Sequence, residues 1–359
     1  MYNSALRRIL IFFSWGLFIK NKPKIVTIGL MSFFDSYIGM YVVQSIAHSV
    51  ITLLIVEMSL RIWTVGDARE RFRYRLLVLI LPFVLFPFFQ FINPERGSFY
   101  FIEDTALFSS LRWLKIEILG KRPFTYLFLL VVGLVSSVVL IQEIVPIIKD
   151  IFSRTKEEST EGRPAGPEID TLVGDISRAM KATKPSVYLI DDDSPIIYTT
   201  GTKNHSIVMS VALLTAFSMR ELKSALAHEI AHIIRRSNIT TLLVFIVRIC
   251  MFYNPISLLE FRKLVQDDEH ICDDITVSVT GDPAALASAL GVFCLDVSHS
   301  EKVKLGDVRQ AIESSSHNLL LHERIERLEN NTSFGYHAYG WGRYAVTLTA
   351  IIGVSYFVV

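Results

Sequence analysis

The sequence predicts a mainly α membrane protein, with about four transmembrane helices and an inserted α+β domain that carries a small β-sheet. Composition is the first reason: 51% of residues are hydrophobic, 24 are Phe, and mean hydropathy is +0.41, which is high for one soluble globule. The second is a set of uncharged apolar runs near the roughly 20 residues that cross about 30 Å of hydrocarbon. The third is a polar stretch with short β-prone segments that interrupts those runs between residues 171 and 338. Net charge is +1 and the basic residues are scattered, so no nucleic-acid-binding stripe is present. Cys250, Cys272 and Cys294 are odd in number and lack paired spacing, which fits a reducing compartment better than a disulfide framework.

Residues 1–149 are expected to form the membrane domain. The apolar run 9–18 is too short to cross alone and is followed by Lys20, Lys22 and Lys24, so it reads as an interfacial segment, with a re-entrant piece or a poor extra span as the alternatives. No small-residue cleavage site follows it, which argues against a signal peptide. Spans are expected at about 37–60, 76–92 and 123–148. The first contains His48, expected to be a hydrogen-bonded structural histidine, and Glu57, one turn from Arg61 and within reach of pairing with it near the interface. The second carries Pro82 and Pro87, tolerable as kinks in a packed membrane helix. A fourth span is expected at 340–359, with Trp341 and Tyr344 at interfacial height. Arg69, Arg71, Arg73 and Arg75 crowd the loop after the first span. By the positive-inside rule that loop, and everything after the third span, faces the cytoplasm.

Residues 150–170, rich in Glu, Ser, Gly and Pro, read as a tether. In the domain at 171–338, Leu172, Ile176, Ala179 and Met180 recur at helical spacing, and 186–190, 196–200 and 207–210 read as strands. Ser218 and Glu221 form a capping box that opens a helix running to about Arg236.

On that helix stands His228-Glu229-Ile230-Ala231-His232, the pattern H-E-x-x-H. Four residues make a little over one turn, so both imidazoles leave one face and can reach one zinc ion, while Glu229 is placed to act as base toward a zinc-bound water. The domain is therefore expected to be zincin-like. A third ligand is required, and the run Asp267, Asp268, Glu269, His270, Ile271, Cys272, Asp273, Asp274 supplies several. Spacing alone leaves Glu269 and His270 both open. Glu269 and Asp273 share a helix face, so one can ligate while the other orients a histidine. Cys272 reads as a packed small residue.

The pairing of HEIAH with Glu269-His270-Ile271-Cys272-Asp273 resembles the β-lactam-sensor transducer peptidases of BlaR and MecR type, and is similar to the HtpX and CAAX-prenyl endopeptidases. The resemblance extends over about 187–328. Ile207, Val208, Met209 and Ser210 resemble the edge strand before the catalytic helix, Tyr253-Asn254-Pro255 an aromatic-N-P stretch, and Arg324 to Leu328 a late R-I-x-x-L segment. It implies a zinc metalloendopeptidase with His228, His232 and Glu269 as ligands, Glu229 as base and Asp273 behind the site. The strand at 207–210 would hold an extended protein or peptide substrate by β-addition. His317, His322 and Arg324 are candidates for stabilising the oxyanion. Ser237-Asn238 departs from the family's usual Asp after the second histidine, and the sensor domain that such transducers carry beyond their last span is expected to be absent.

The apolar segment 239–253 contains Arg248 and would span only about 22 Å as a helix. A single crossing would put the histidines and Glu269 on opposite sides of the bilayer. It is therefore expected to stay on one side, at the interface or packed on other helices, ending at Asn254-Pro255. The function expected is hydrolysis of cytoplasmic or membrane-bound proteins, with the lipid bilayer as the other partner and oligomeric state left open. The competing reading is a non-catalytic membrane adaptor or signal transducer with structural zinc, for which Glu229 would be unnecessary. A transporter is disfavoured because the spans show no inverted duplication.

Overall fold

The computed structural model describes residues 33–34, 36–141, 162–201, 204–235, 237–299, 321–330 and 340–359. The segment 9–18, the end of the third expected span, most of the tether and His317 lie outside the described residues.

Helices α1 (Tyr37–Ile62, 26 residues) and α2 (Ala68–Ile92, 25 residues) are long and apolar enough to cross a membrane, which supports an integral membrane location. Ser36 caps α1 by accepting from Gly39 N, and Asp67 caps α2 by accepting from Arg69 N and Glu70 N. The helix α2 begins two turns before the apolar run, because Asp67 can cap it there, and it continues through Pro82 and Pro87. After a 3₁₀ turn at Pro94–Gly97 come the short helices α3 (Phe99–Asp104) and α4 (Ser110–Leu114), then the apolar α5 (Pro123–Val139, 17 residues).

The polarity of α1 is inverted relative to a soluble helix. Gln44, Ser45, His48, Ser49 and Thr52 are buried, whereas Ile38, Val50, Leu54 and Met58 are exposed. A helix whose solvent is lipid turns its polar groups inward. His48 Nε2 lies 3.3 Å from Val358 O, as a structural histidine should. Glu57 does not take Arg61 as its partner; Arg75 (3.3 Å) and Lys263 (3.2 Å) hold it from neighbouring helices.

The inserted domain begins with β1 (Arg163–Pro164), so the sheet draws its first strand from the stretch expected to be a tether. Then follow α6 (Pro167–Ala179), β2 (Ser186–Ile190), β3 (Ile197–Thr200) and β4 (Ser206–Ser210). Strand order is β1-β2-β4-β3. β4 is parallel to β2, with Val187 opposite Ile207, and antiparallel to β3, with Thr199 opposite Ile207. Alternation along the strands puts Val187, Leu189, Ile207 and Met209 into one core with Val173 and Ile176 of α6.

This order corrects one expectation. Ile207, Val208, Met209 and Ser210 are not an edge strand; both sides of β4 are already paired, so no backbone group there is left for an added strand. The edge on that side of the sheet belongs to β3.

Helix α7 (Val211–Ala216) leads to α8 (Met219–Arg235), where Ser218 N donates to Glu221 Oε2 at 2.7 Å and Glu221 N to Ser218 Oγ at 3.4 Å, the two halves of the capping box. Leu222, Leu226 and Ile230 of α8 close the sheet core. Helices α9 (Ser237–Cys250) and α10 (Pro255–Thr280) form a hairpin that lies against α1 and α2. Gly281, at φ +67°, ends α10 in the left-handed conformation that glycine adopts without strain. Then come α11 (Pro283–His299), α12 (321–329) and α13 (Trp341–Tyr356), whose Ile351 packs on Val56 and Val78.

Candidate metal centre

Because Leu222, Leu226 and Ile230 commit one face of α8 to the sheet, a second face is left toward α10. His228 and His232 occupy it, with their Nε2 atoms 3.1 Å apart. α10 crosses this face and brings Glu269 to both: Oε2 lies 3.3 Å from His228 Nε2 and Oε1 3.6 Å from His232 Nε2. Its neighbour His270, one residue and about 100° further round the helix, turns instead toward α2, with Nδ1 3.3 Å from Arg71 Nη2. Glu269, not His270, therefore shares the site.

Four-coordinate zinc with bonds of about 2.0–2.1 Å sets its ligand atoms about 3.3 Å apart. The two imidazole Nε2 atoms, 3.1 Å apart, match one edge of such a tetrahedron, and each Glu269 oxygen stands beside one of them, at 3.3 and 3.6 Å. Two imidazoles and one carboxylate also form a donor set suited to zinc. The residues present thus fit the ion.

Charge around the donors is compensated by buried partners. Asp273 Oδ1 lies 3.1 Å from His228 Nδ1, close enough for an ion pair though off the line of a good hydrogen bond. Arg324, on α12, grips Asp273 with two donors, Nε to Oδ2 at 2.9 Å and Nη2 to Oδ1 at 2.7 Å, and reaches Glu269 Oε2 with Nη1 at 3.0 Å. Burial alone would strip the charge from these groups, but their partners outweigh it. Arg324 and His228 hold Glu269 and Asp273 well below the usual carboxylate range, and the two carboxylates push His228 up to about 9 against its burial. Burial, then the neighbouring His228, lowers His232.

Two contacts reach the remaining groups. Thr199 Oγ1, on β3, donates to Glu229 Oε2 at 2.6 Å. Cys272 Sγ lies 3.3 Å from His232 Nδ1, on the side of the ring away from the metal donors, and burial raises its thiol. His232, Asp268 and Cys272 form a second metal-like group. Its Asp268 is already held by Arg235, through Nε at 3.0 Å and Nη2.

The sequence-derived candidates divide accordingly. His228, His232, Glu269 and Asp273 converge, and Glu229 stands beside them on α8. Arg324 belongs to the cluster, 7% exposed, with Nη2 3.4 Å from His228 Nε2 and Nη1 3.0 Å from Glu269 Oε2, beside the donor atoms themselves. His322 is exposed on α12. Thr199 was not foreseen; one threonine in an alternating strand carries no signal of its own.

Residues 121–282, which include both motif segments, match the family model of the BlaR1 peptidase M56. Among curated relatives, the chain is 33% identical over 88 residues to a Protease HtpX homolog of Polynucleobacter necessarius, covering 24% of this chain and 30% of the relative. It is 28% identical over 106 residues to that of Leuconostoc citreum (29% and 35% covered) and 27% identical over 159 residues to that of Methylibium petroleiphilum (35% and 56% covered). The chain thus spans between about a third and just over half of the length of these relatives. These matches relate it at family level to M56 and HtpX-type peptidases.

Proposed function

We propose that this protein is a membrane-embedded zinc endopeptidase that hydrolyses peptide bonds of cytoplasmic or membrane-associated proteins, in regulatory or quality-control proteolysis. The observation that carries the reading is the convergence of His228, His232 and Glu269, with the two Nε2 atoms 3.1 Å apart and a Glu269 oxygen beside each, flanked by a carboxylate, Glu229, that is not one of them. A purely structural zinc site has no use for that fourth group.

When bound, zinc supplies a Lewis acid for the scissile carbonyl and lowers the pKa of water. Glu229 takes the proton from the attacking water and passes it to the leaving amine, and the Thr199 hydroxyl fixes its carboxylate for that transfer. Asp273 orients His228 from the Nδ1 side, and Arg324 positions both Asp273 and Glu269. An extended substrate adds to the open edge of β3, which delivers it beside Glu229 through the same strand that bears Thr199.

The test uses the full chain in detergent. Glu229→Gln should keep its zinc, measured by elemental analysis, while peptide cleavage falls by roughly 10²–10⁴-fold. His228→Ala should lose both. Cleavage by Glu229→Gln at the wild-type rate would remove the mechanism. In cells, a protein that accumulates uncleaved with Glu229→Gln would identify the substrate.

A further inference from the structure

The turn between α9 and α10 sits at an unusual depth. Tyr253 OH pairs with Ser45 Oγ at 2.8 Å, and Asn254 Nδ2 donates to Ser49 Oγ at 2.7 Å. Ser49 is the midpoint of α1, about 18 Å from one end and 20 Å from the other at 1.5 Å per residue. We infer that α9 and the first half of α10 form a re-entrant hairpin that dips to the middle of the bilayer, with its outer face against lipid hydrocarbon. The inference rests on the membrane placement of α1 and is independent of the chemistry proposed for the metal centre.

Two helices that merely lay on a protein surface in water would present polar side chains outward. Here the outward residues are Leu242 (55% exposed), Leu243 (59%), Ile246 (48%), Phe252 (38%) and Leu259 (56%), together with the exposed Cys250. That band continues the lipid-facing residues of α1, Leu54 and Met58, at the same height. Polar groups at the tip all turn inward. Besides the two bonds to α1, Asn254 Oδ1 accepts from Ile256 N at 3.0 Å and Ser257 Oγ donates to Asn254 O at 2.8 Å, and Tyr253, Asn254 and Ser257 are at most 5% exposed. Non-helical backbone is tolerated at membrane depth only when it is satisfied within protein in this way.

The charges obey the same depth rule. Arg248 is buried over the ring of Phe261, 4.3 Å from its centroid. Arg262, exposed on α10, stands eight residues past Asn254, about 12 Å above the tip, within snorkelling distance of the headgroups. The pair Glu57–Lys263 joins residues eight beyond Ser49 and nine beyond Asn254, so α10 and α1 run side by side in one direction. Glu269, fifteen residues past Asn254, then lies about 22 Å from the midplane, just outside a hydrocarbon half-thickness of about 15 Å. The hairpin is what sets the height of the metal centre at the membrane surface.

Cys250, the last residue of α9, is a native probe of this depth. In the Cys294→Ser protein, leaving the buried Cys272 in place, Cys250 is spin-labelled and the full chain is reconstituted in phosphatidylcholine–phosphatidylglycerol vesicles. Collision with oxygen and with a water-soluble nickel chelate is then measured. A second label is placed at 243 (Leu243→Cys in Cys250→Ser, Cys294→Ser), and a third at the exposed Tyr198 of β3 by the same route. An unchanged circular-dichroism spectrum and thermal transition in each labelled protein confirm the fold. The label at 250 should collide with oxygen and not with nickel, at a depth about 10 Å greater than the label at 243, while position 198 should collide freely with nickel. Nickel access at 250 equal to that at 198 would overturn the inference, placing the hairpin in water. So would a label at 250 that is immobile and shielded from both agents, because a protein surface, such as a second copy of this chain, would then cover the face.

Discussion

Arg96 and Arg324 are both buried, 0% and 7% exposed, yet the protein neutralises them in different ways. Arg96, just beyond α2, is held by neutral acceptors: Nε donates to Tyr356 O at 2.8 Å, Nη1 to Gln44 Oε1 at 3.0 Å, Nη2 to Ser355 O at 3.0 Å and also to Val358 O, with the Phe89 ring 4.7 Å from the guanidinium. Arg324 is held by the carboxylates of Asp273 and Glu269. The first arrangement ties the end of α13 to the membrane helices by dipoles and leaves no anion dependent on it. In the second, the guanidinium is the counter-charge for two groups of the metal centre. A buried arginine is thus a clamp in one region and part of the electrostatics of the site in the other.

The largest effect is expected at Arg324. Arg324→Ala strands the buried Asp273 carboxylate and removes a counter-charge from the partly exposed Glu269, at a cost on the order of 3–5 kcal/mol, so thermal unfolding in detergent should shift markedly and zinc occupancy should fall. Arg324→Ala combined with Asp273→Asn should recover part of the stability, since one stranded charge is gone. A single substitution that leaves the melting temperature unchanged would show that the pairings do not carry the charge. Arg96→Met should cost less, about 1–3 kcal/mol for acceptors left unpaired, and zinc content per folded molecule should stay at the wild-type level. Loss of zinc in Arg96→Met would erase the distinction between the two regions.

Two smaller substitutions sharpen the picture inside the charged region. Cys272→Ala removes the contact on His232 Nδ1, and zinc affinity measured by chelator competition should weaken by about tenfold, the low end for groups that orient a ligand. Thr199→Val should leave zinc binding intact and lower kcat by about fivefold, corresponding to a hydrogen bond of about 1 kcal/mol. If Thr199→Val instead changed metal affinity, its hydroxyl would act on the donors rather than on the base.

Much of this protein is readable from local pattern. His228 and His232 had to share a face once the stretch was helical, because four residues exceed one turn by little. Ser218 and Glu221 marked where that helix begins, and alternation marked the strands at 186–190 and 207–210. The apolar length of the first two spans follows from bilayer thickness alone. These features are set by residues within a few positions of one another.

Packing between distant elements makes the choices between neighbours that local pattern leaves equivalent. Glu269 and His270 differ by one step around α10, and the crossing of α10 over α8 selects which one meets the histidines. Pairing order, not sequence, makes β4 internal and gives the open edge to β3. Glu57 finds Arg75 and Lys263 because α2 and α10 pack beside it, and Tyr253-Asn254 reaches the middle of α1 because α9 and α10 enter together. Each outcome depends on the relative placement of elements far apart in the chain, and a helix or strand period carries no information about which distant element its face will meet.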